Sequence, residues 1–216
     1  MKIQVLIDKN SWAKKNQKFI KTKLLVFDKN IKFFTSHKSL KKDYDLNIIF
    51  SYFKFIPKQY LNNSKYNIIP HESKLPKGRG MSPLSWQILE GKSKIYFSLI
   101  SAGNKIDNGK IFYQKKYNLK QHLLFKELKE KQLHINLNLI TKFIKKINKK
   151  QRPKTIAQKG SATYYKTRTP NDSEIDINKS IKSQINLLRL CDDNNYPAFF
   201  YYKSKKFLIK LEKVKK

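Results

Sequence analysis

The run His71-Glu72-Ser73-Lys74-Leu75-Pro76-Lys77-Gly78-Arg79-Gly80, followed by Asp107 in Lys105-Ile106-Asp107-Asn108-Gly109, supplies an imidazole, a glycine-rich loop and a carboxylate. An imidazole changes charge near neutral pH and can carry a proton either way. A carboxylate beside it orients the ring and stabilises its protonated form, the arrangement general acid–base catalysis needs, worth about 10²–10⁴ in rate. Loop histidines and aspartates also serve turns and caps, so the pair acts only if the fold brings it together. Gly78 and Gly80 allow the main chain to approach a ligand closely or simply make a flexible turn. Arg79 and Lys77 could meet an anion, with solvent exposure the alternative for Lys77. His37, His122 and His134 have no metal-ligand spacing and are expected at the surface, so no metal site is expected.

The elements that must position these residues follow from periodicity. Ile3 to Ile7 predicts a buried first strand, after which Ser11 caps a helix carrying Trp12, Phe19 and Ile20. Further strands are expected at Ile31 to Phe34, Leu46 to Tyr52, Tyr66 to Ile69, Ile95 to Ile100 and Ile111 to Tyr113. Pro57 starts a short helix and Pro83 opens one that Gly91 closes. Leu124, Leu128, Ile135, Leu139 and Phe143 stripe a long helical region from Gln121 to Ile147, with a break expected near Asn136 to Asn138. This alternation implies an α/β fold, a Rossmann-like, mainly parallel sheet with helices on both faces. In a right-handed βαβ unit the strands before His71 and Asp107 are neighbours, and both residues emerge on the carboxyl edge, where open sheets bind ligands. No G-x-G-x-x-G follows the first strand, where the chain reads Asp8-Lys9-Asn10-Ser11, which argues against a dinucleotide site.

After Lys150 the character changes. Gln151 to Thr169 is polar and reads as a connector, Asn178 to Cys191 as an amphipathic helix, and Ala198 to Tyr202 with Lys206 to Val214 as a hairpin. The expected division is therefore a main domain over 1–150 and an appendage over 151–216 packed on it. The exposed hairpin edge makes a homodimer an expectation.

Composition narrows the partners. The chain of 216 residues carries a formal net charge of +33, through 44 lysines and four arginines. Lysine excess alongside Ile and Asn follows A/T-rich codons, and the lysines are spread over nearly every element. A nucleic-acid face usually concentrates charge and interleaves arginine with exposed aromatics, so no specific nucleic-acid partner is expected. The single Cys191 sits in an apolar run and is expected to be a buried, inert thiol in a reducing compartment. No apolar segment approaches the roughly 20 residues of a bilayer span, and a soluble, cytoplasmic protein without membrane association is expected.

The His71 to Gly80 run, Ser82-Pro83, Trp86 to Gly91 and Ile106-Asp107-Asn108-Gly109 resemble the H-x-S-x-L-P-x-x-R-G and D-x-G signatures of the 10-formyltetrahydrofolate-dependent formyltransferases. A second block, Arg168 to Asp176 with Asn186 to Arg189 and Tyr196 to Phe200, resembles the branch that formylates nucleotide-linked amino sugars. The resemblance implies a formyltransferase catalytic domain over 1–150, with 10-formyltetrahydrofolate as cosubstrate and a nucleotide-linked amino sugar as acceptor. His71 would be the acid–base residue and Asp107 the carboxylate that holds it. Ser73, Leu75, Pro76, Gly78, Arg79 and Gly80 would form the folate-side loop. One position departs: the family's asparagine two residues before the histidine, which helps stabilise the tetrahedral oxyanion, is Ile69 here. Asn67 lies on the same side of an extended strand, roughly 7 Å further back at 3.3 Å per residue. A glycinamide ribonucleotide formyltransferase would fit the length, but the Arg168 to Phe200 block points away from it, and two other readings stand beside the sugar one. Methionyl-tRNA formylation shares the chemistry but is expected to need a larger C-terminal nucleic-acid-binding barrel, and a non-enzymatic basic RNA-binding protein would use the charge alone.

Overall fold

The computed structural model describes residues 1–214. Strand β1 (Ile3–Leu6) is fully buried, and the Ser11 hydroxyl then accepts the Lys14 N–H at 3.2 Å to start α1 (Trp12–Lys15). The helix expected there divides, because the Asn16 side chain donates to the Trp12 carbonyl at 2.9 Å and competes with the backbone ladder. Helix α2 (Gln17–Leu24) resumes beyond it. Then follow β2 (Lys32–Phe34), β3 (Tyr44–Ile49), α3 (Lys58–Leu61), β4 (Ser64–His71), the two-residue β5 (Arg79–Gly80) and α4 (Pro83–Leu89), opened by its proline. Strands β6 (Lys94–Ser101) and β7 (Ile111–Asn118) lead to α5 (Phe125–Asn148). Helix α5 runs unbroken through Asn136, whose amide is turned to a tertiary partner and not to its own backbone.

The main sheet has the order β2-β1-β3-β4-β6-β7. Strands β2, β1, β3 and β4 are parallel, whereas β6 is antiparallel to both β4 and β7. The expected right-handed parallel crossover between the strands before His71 and Asp107 is therefore corrected to an antiparallel pairing. The two residues still converge. Ser101, the last residue of β6, pairs with Ile68, and Ile68 also pairs with Ile48 of β3. The loop leaving β6 thus emerges beside the carboxyl ends of the parallel strands, and β4 runs on past them to His71.

Alternation along the strands separates the two faces. Ile3, Val5, Leu46, Ile48 and Ile68 pack in one core with Ile20 of α2, Ile88 of α4, and Ile140, Phe143 and Ile144 of α5. On the opposite face Leu6 and Ile49 meet Leu40, Tyr52, Ile56, Tyr60 and Leu61. The side-chain amide N–H groups of the polar strand residues on that face find partners, while the buried Asn47 Oδ1 has none among the described residues. Gln4 Nε2 donates to Lys41 O at 3.1 Å and Ser64 Oγ at 2.9 Å, and Asn47 Nδ2 donates to Asn67 Oδ1 at 3.0 Å.

The stretch read as a connector contains β8 (Tyr164–Tyr165), which pairs in parallel with β5, and an isolated bridge between Ile156 and Ile111. Beyond it lie α6 (Ile181–Leu188) and the antiparallel hairpin of β9 (Ala198–Tyr202) and β10 (Lys205–Ile209), where Phe200 stacks on Phe207. Buried Arg168 donates to Leu190 O at 3.0 Å and Ser173 Oγ at 2.9 Å within this part, while Arg189 donates to Gln121 O at 2.8 Å, which ties it to the turn between β7 and α5. Cys191 is half-buried, a correction to the expected buried thiol, because its Sγ sits beside Leu187 O at the end of the helical turn.

Phe143 is fully buried, with the Tyr66 and Phe112 rings edge-on at 5.5 and 4.7 Å. Phe143→Ala should lower the unfolding free energy by about 3–5 kcal/mol through lost transfer energy and a residual cavity, measured as a shift of the urea midpoint at constant m-value.

Candidate active site

His71 closes β4 and is 5% exposed. Its Nδ1 faces Asp107 Oδ2 at 3.6 Å, and its Nε2 is 2.8 Å from the Gly78 carbonyl oxygen. That oxygen can only accept, so Nε2 carries the proton in this arrangement. The same Asp107 Oδ2 accepts the Gly80 N–H at 2.9 Å. One carboxylate oxygen therefore joins the end of β4, the glycine loop and the loop after β6.

Both loops are shaped by close approach. Gly80 has φ +94°, and a Cβ on it would overlap the Tyr165 carbonyl oxygen; a Cβ on Gly109 would overlap Ser101 O. The β5–β8 pairing is extended by the Gly78 N–H donating to Thr163 Oγ1 at 2.8 Å, Arg79 N–H to Thr163 O at 2.9 Å and Met81 N–H to Tyr165 O at 3.1 Å. Asp107 itself is held at φ +47°, a left-handed conformation that a non-glycine residue adopts only at a cost.

A pocket of about 440 Å³ opens over the pair. His71, Asp107 and Gly80 line it, as do Ile69, Pro70 and Glu72. Ser73, Leu75, Pro76 and Gly78 lie buried in the same loop, Leu75 packing on Ile100, Ile111 and Ile69. The Arg79 guanidinium is turned to protein partners: Nε and Nη2 donate to Gln158 Oε1 at 3.2 and 2.7 Å, and Nη1 to the Tyr164 hydroxyl at 3.2 Å. Ile69 joins the apolar packing of this region, while Asn67 Nδ2 is committed to the Leu61 carbonyl at 2.8 Å. Asn67 therefore offers no donor at the site.

The pocket's walls differ in character. Phe53, Phe55, Ile56 and Ile106 give one apolar side, and Phe55 and Ile106 are 67% and 64% exposed, an apolar surface of the kind that marks an interaction site. Lys129, Gln132, Arg168 and Tyr196 give a polar side. There the Glu72 carboxylate accepts Asn136 Nδ2 at 2.6 Å and the Glu72 carbonyl accepts Gln87 Nε2 at 2.6 Å. Burial pushes the Lys129 amine below the ordinary lysine range; the Glu72 charge opposes that shift and Arg168 adds to it. Of the four, Arg168 and Tyr196 fall in the second motif block, whereas Lys129 and Gln132 have no signal in the sequence; Lys129 reads there as one lysine among 44.

His122 and His134 are exposed as expected. His37 is half-buried, with Nδ1 2.8 Å from the Tyr52 hydroxyl, and burial with Lys38 and Lys54 nearby lowers its pKa. Among the described residues no three His, Cys, Asp or Glu side chains are grouped to hold a metal, and no helix is long and apolar enough to cross a membrane.

Residues 10–144 match the family model described as formyl transferase. The chain belongs to this family. It is 30% identical over 207 residues to the bifunctional polymyxin resistance protein ArnA of Wigglesworthia glossinidia brevipalpis, covering 92% of this chain and 31% of that one. A methionyl-tRNA formyltransferase from a Sulfurihydrogenibium species is 27% identical over 146 residues, 67% of this chain and 47% of the relative. The chain thus spans half or less of the length of these two relatives. A Mycobacterium tuberculosis structure titled a likely sugar N-formyltransferase superposes with a TM-score of 0.77 at 15% identity, over 100% of this chain and 99% of the other. The mixed sheet is accordingly the formyltransferase fold.

Because the charged form of Lys129 is penalised by burial, the folded state binds fewer protons here than the unfolded one, so stability rises with pH through this group. Lys129→Met should be more stable than the parent at pH 7. The difference should shrink as the pH approaches 10.5, measured by urea unfolding across that range.

Proposed function

We propose that this chain transfers a formyl group from 10-formyltetrahydrofolate to the amine of a nucleotide-linked amino sugar. The observation that carries the reading is the His71–Asp107 contact of 3.6 Å on a pocket with one apolar and one polar wall. The family is that of formyl transferases. Phe53, Phe55, Ile56 and Ile106 suit the flat ring system of a folate, and Lys129, Gln132, Arg168 and Tyr196 suit a polar, anionic acceptor. The Mycobacterium tuberculosis likeness over the full length of both chains supports a sugar acceptor.

In this mechanism the acceptor's amine nitrogen attacks the formyl carbon and the carbonyl electron pair moves to oxygen. His71 takes the amine's proton. Collapse of the tetrahedral intermediate breaks the bond to N10 of the folate, and the proton passes to that nitrogen. Asp107 holds the ring and balances its charge while it is protonated. For this Nε2 leaves the Gly78 carbonyl and the ring's proton shifts to Nδ1, facing Asp107, so that Nε2 presents its lone pair to the reacting amine. Ser73, Leu75, Pro76, Gly78, Arg79 and Gly80 form the folate-side loop, in which Arg79 acts through its protein contacts. Ile69 brings no hydrogen-bond donor, so the developing oxyanion relies on His71 and backbone N–H groups.

A second reading, methionyl-tRNA as acceptor, is favoured by the curated relatives and by the charge of +33. Tetrahydrofolate release is measured with UDP- and TDP-linked amino sugars and with charged methionyl-tRNA in parallel. Release that depends on a sugar nucleotide is expected, and tRNA-dependent release alone would transfer the assignment. His71→Asn and Asp107→Asn should each lower turnover by at least about 10²-fold, within the range of general acid–base catalysis, with unchanged circular dichroism. Near-normal turnover in either variant sinks the mechanism. Ile69→Asn should raise kcat by supplying a donor, with the roughly 10²–10³ of one oxyanion contact as the ceiling. Steady-state kinetics on the folded variant reads the change directly.

A further inference from the structure

Residues 154–161 are exposed except at one position: Gln158 is turned inward and half-buried. Its side chain uses both ends of the amide. Nε2 donates to the carbonyl oxygens of Asp107 at 2.7 Å and Gly109 at 2.8 Å, and Oε1 accepts from Arg79 Nε at 3.2 Å and Nη2 at 2.7 Å. Two donors to two carbonyls and one oxygen shared by two guanidinium N–H groups use the full capacity of a primary amide. The pattern also fixes which end is nitrogen, since carbonyls cannot donate and a guanidinium cannot accept.

These partners are the two backbone segments that set the position of the Asp107 carboxylate. On one side Gln158 holds Asp107 itself, in the left-handed turn at φ +47°. On the other it holds Arg79, the residue before Gly80, whose N–H donates to Asp107 Oδ2. Gln158 lies 51 residues from Asp107 and 79 from Arg79 in sequence, so no local turn preference enforces the arrangement. We propose that Gln158 is a positioning residue for the His71–Asp107 pair, clamping the loop after β6 against the glycine loop so that the carboxylate stays in reach of His71. The proposal rests on the acid–base reading of that pair. Gln158 is not among the residues lining the pocket, its side chain bonds to Asp107, Gly109 and Arg79, and it acts through Asp107.

Gln158→Glu tests this with almost no change in shape. It keeps, as an ion pair, the contact to Arg79 and replaces both donors by an oxygen facing two carbonyls. A displacement of about 1 Å in a reacting group costs on the order of 10² in rate, so kcat should fall roughly 10- to 100-fold, with the KM for donor and acceptor changed less than about 3-fold. In an Asp107→Asn background the same substitution should cost little more, because the residue it acts through is already disabled. An equal loss in both backgrounds overturns the proposal, as does wild-type turnover in Gln158→Glu.

A readout independent of any acceptor is the imidazole NMR spectrum of the four histidines, with His71 assigned by its loss in His71→Asn. Gln158→Glu and Asp107→Asn should displace the His71 ring signals in the same sense, and undisturbed His71 signals in Gln158→Glu overturn the proposal. Displaced signals in a protein that formylates no acceptor would support the clamp and count against the acid–base reading. Arg79→Met, which removes the opposite anchor, gives a second variant if Gln158→Glu does not fold, and the same displacement is expected.

Discussion

The sharing of one carboxylate oxygen between the Gly80 N–H and the His71 ring is the constraint on which the site depends. A backbone N–H bonded to a carboxylate is a charge-assisted contact, stronger than a neutral one, and here it sits where the aspartate side chain is only 14% exposed. Reduced solvent screening strengthens each charge interaction of that oxygen. The three stretches of chain meeting there come from the end of β4, the loop that begins at Ser73 and the loop after β6, so the geometry of each limits the other two.

The last residue of β4 and the one after it divide the chemistry between two sides. Successive side chains on a strand point in opposite directions, and His71 meets Asp107 while Glu72 meets Asn136 of α5. The long helix is therefore tied by a buried hydrogen bond to the residue next to the imidazole. On the other face of the sheet Asn47 donates to Asn67, Asn67 to the Leu61 carbonyl and Gln4 to the Lys41 carbonyl, with Asn47 Oδ1 left without a partner among the described residues. Ile49, Leu61 and Ile69 of that layer line the pocket together with residues of the loops and of α5.

Much of this was legible in the sequence. Apolar runs placed every strand of the main sheet, Ser11 and Pro83 marked helix starts, and His71 and Asp107 were found as a pair. The direction of β6 was not legible, since Lys94 to Ser101 is apolar through its middle and buried on both faces, a pattern that antiparallel and parallel central strands share. Asn136 reads as a helix interruption because asparagine competes for backbone hydrogen bonds; in α5 it is absorbed by Glu72. The segment at 156–165 has no periodicity because it contributes one bridge, one two-residue strand and one inward glutamine. Its contacts are all long-range, and composition alone carries no trace of them.

The β5–β8 pairing has a consequence for how the protein is made. Chains emerge from synthesis N-terminus first and fold in that order where they can. All six strands of the main sheet lie before residue 119, whereas Thr163, Tyr164 and Tyr165, which fix the glycine loop, follow the 24-residue helix α5. A nascent chain released as far as α5 already holds its sheet, its histidine and its aspartate, but not the segment that locks them together. Completion of the site thus waits on chain that follows the whole sheet, and a chain ending within α5 has its sheet before it has the segment that fixes the glycine loop.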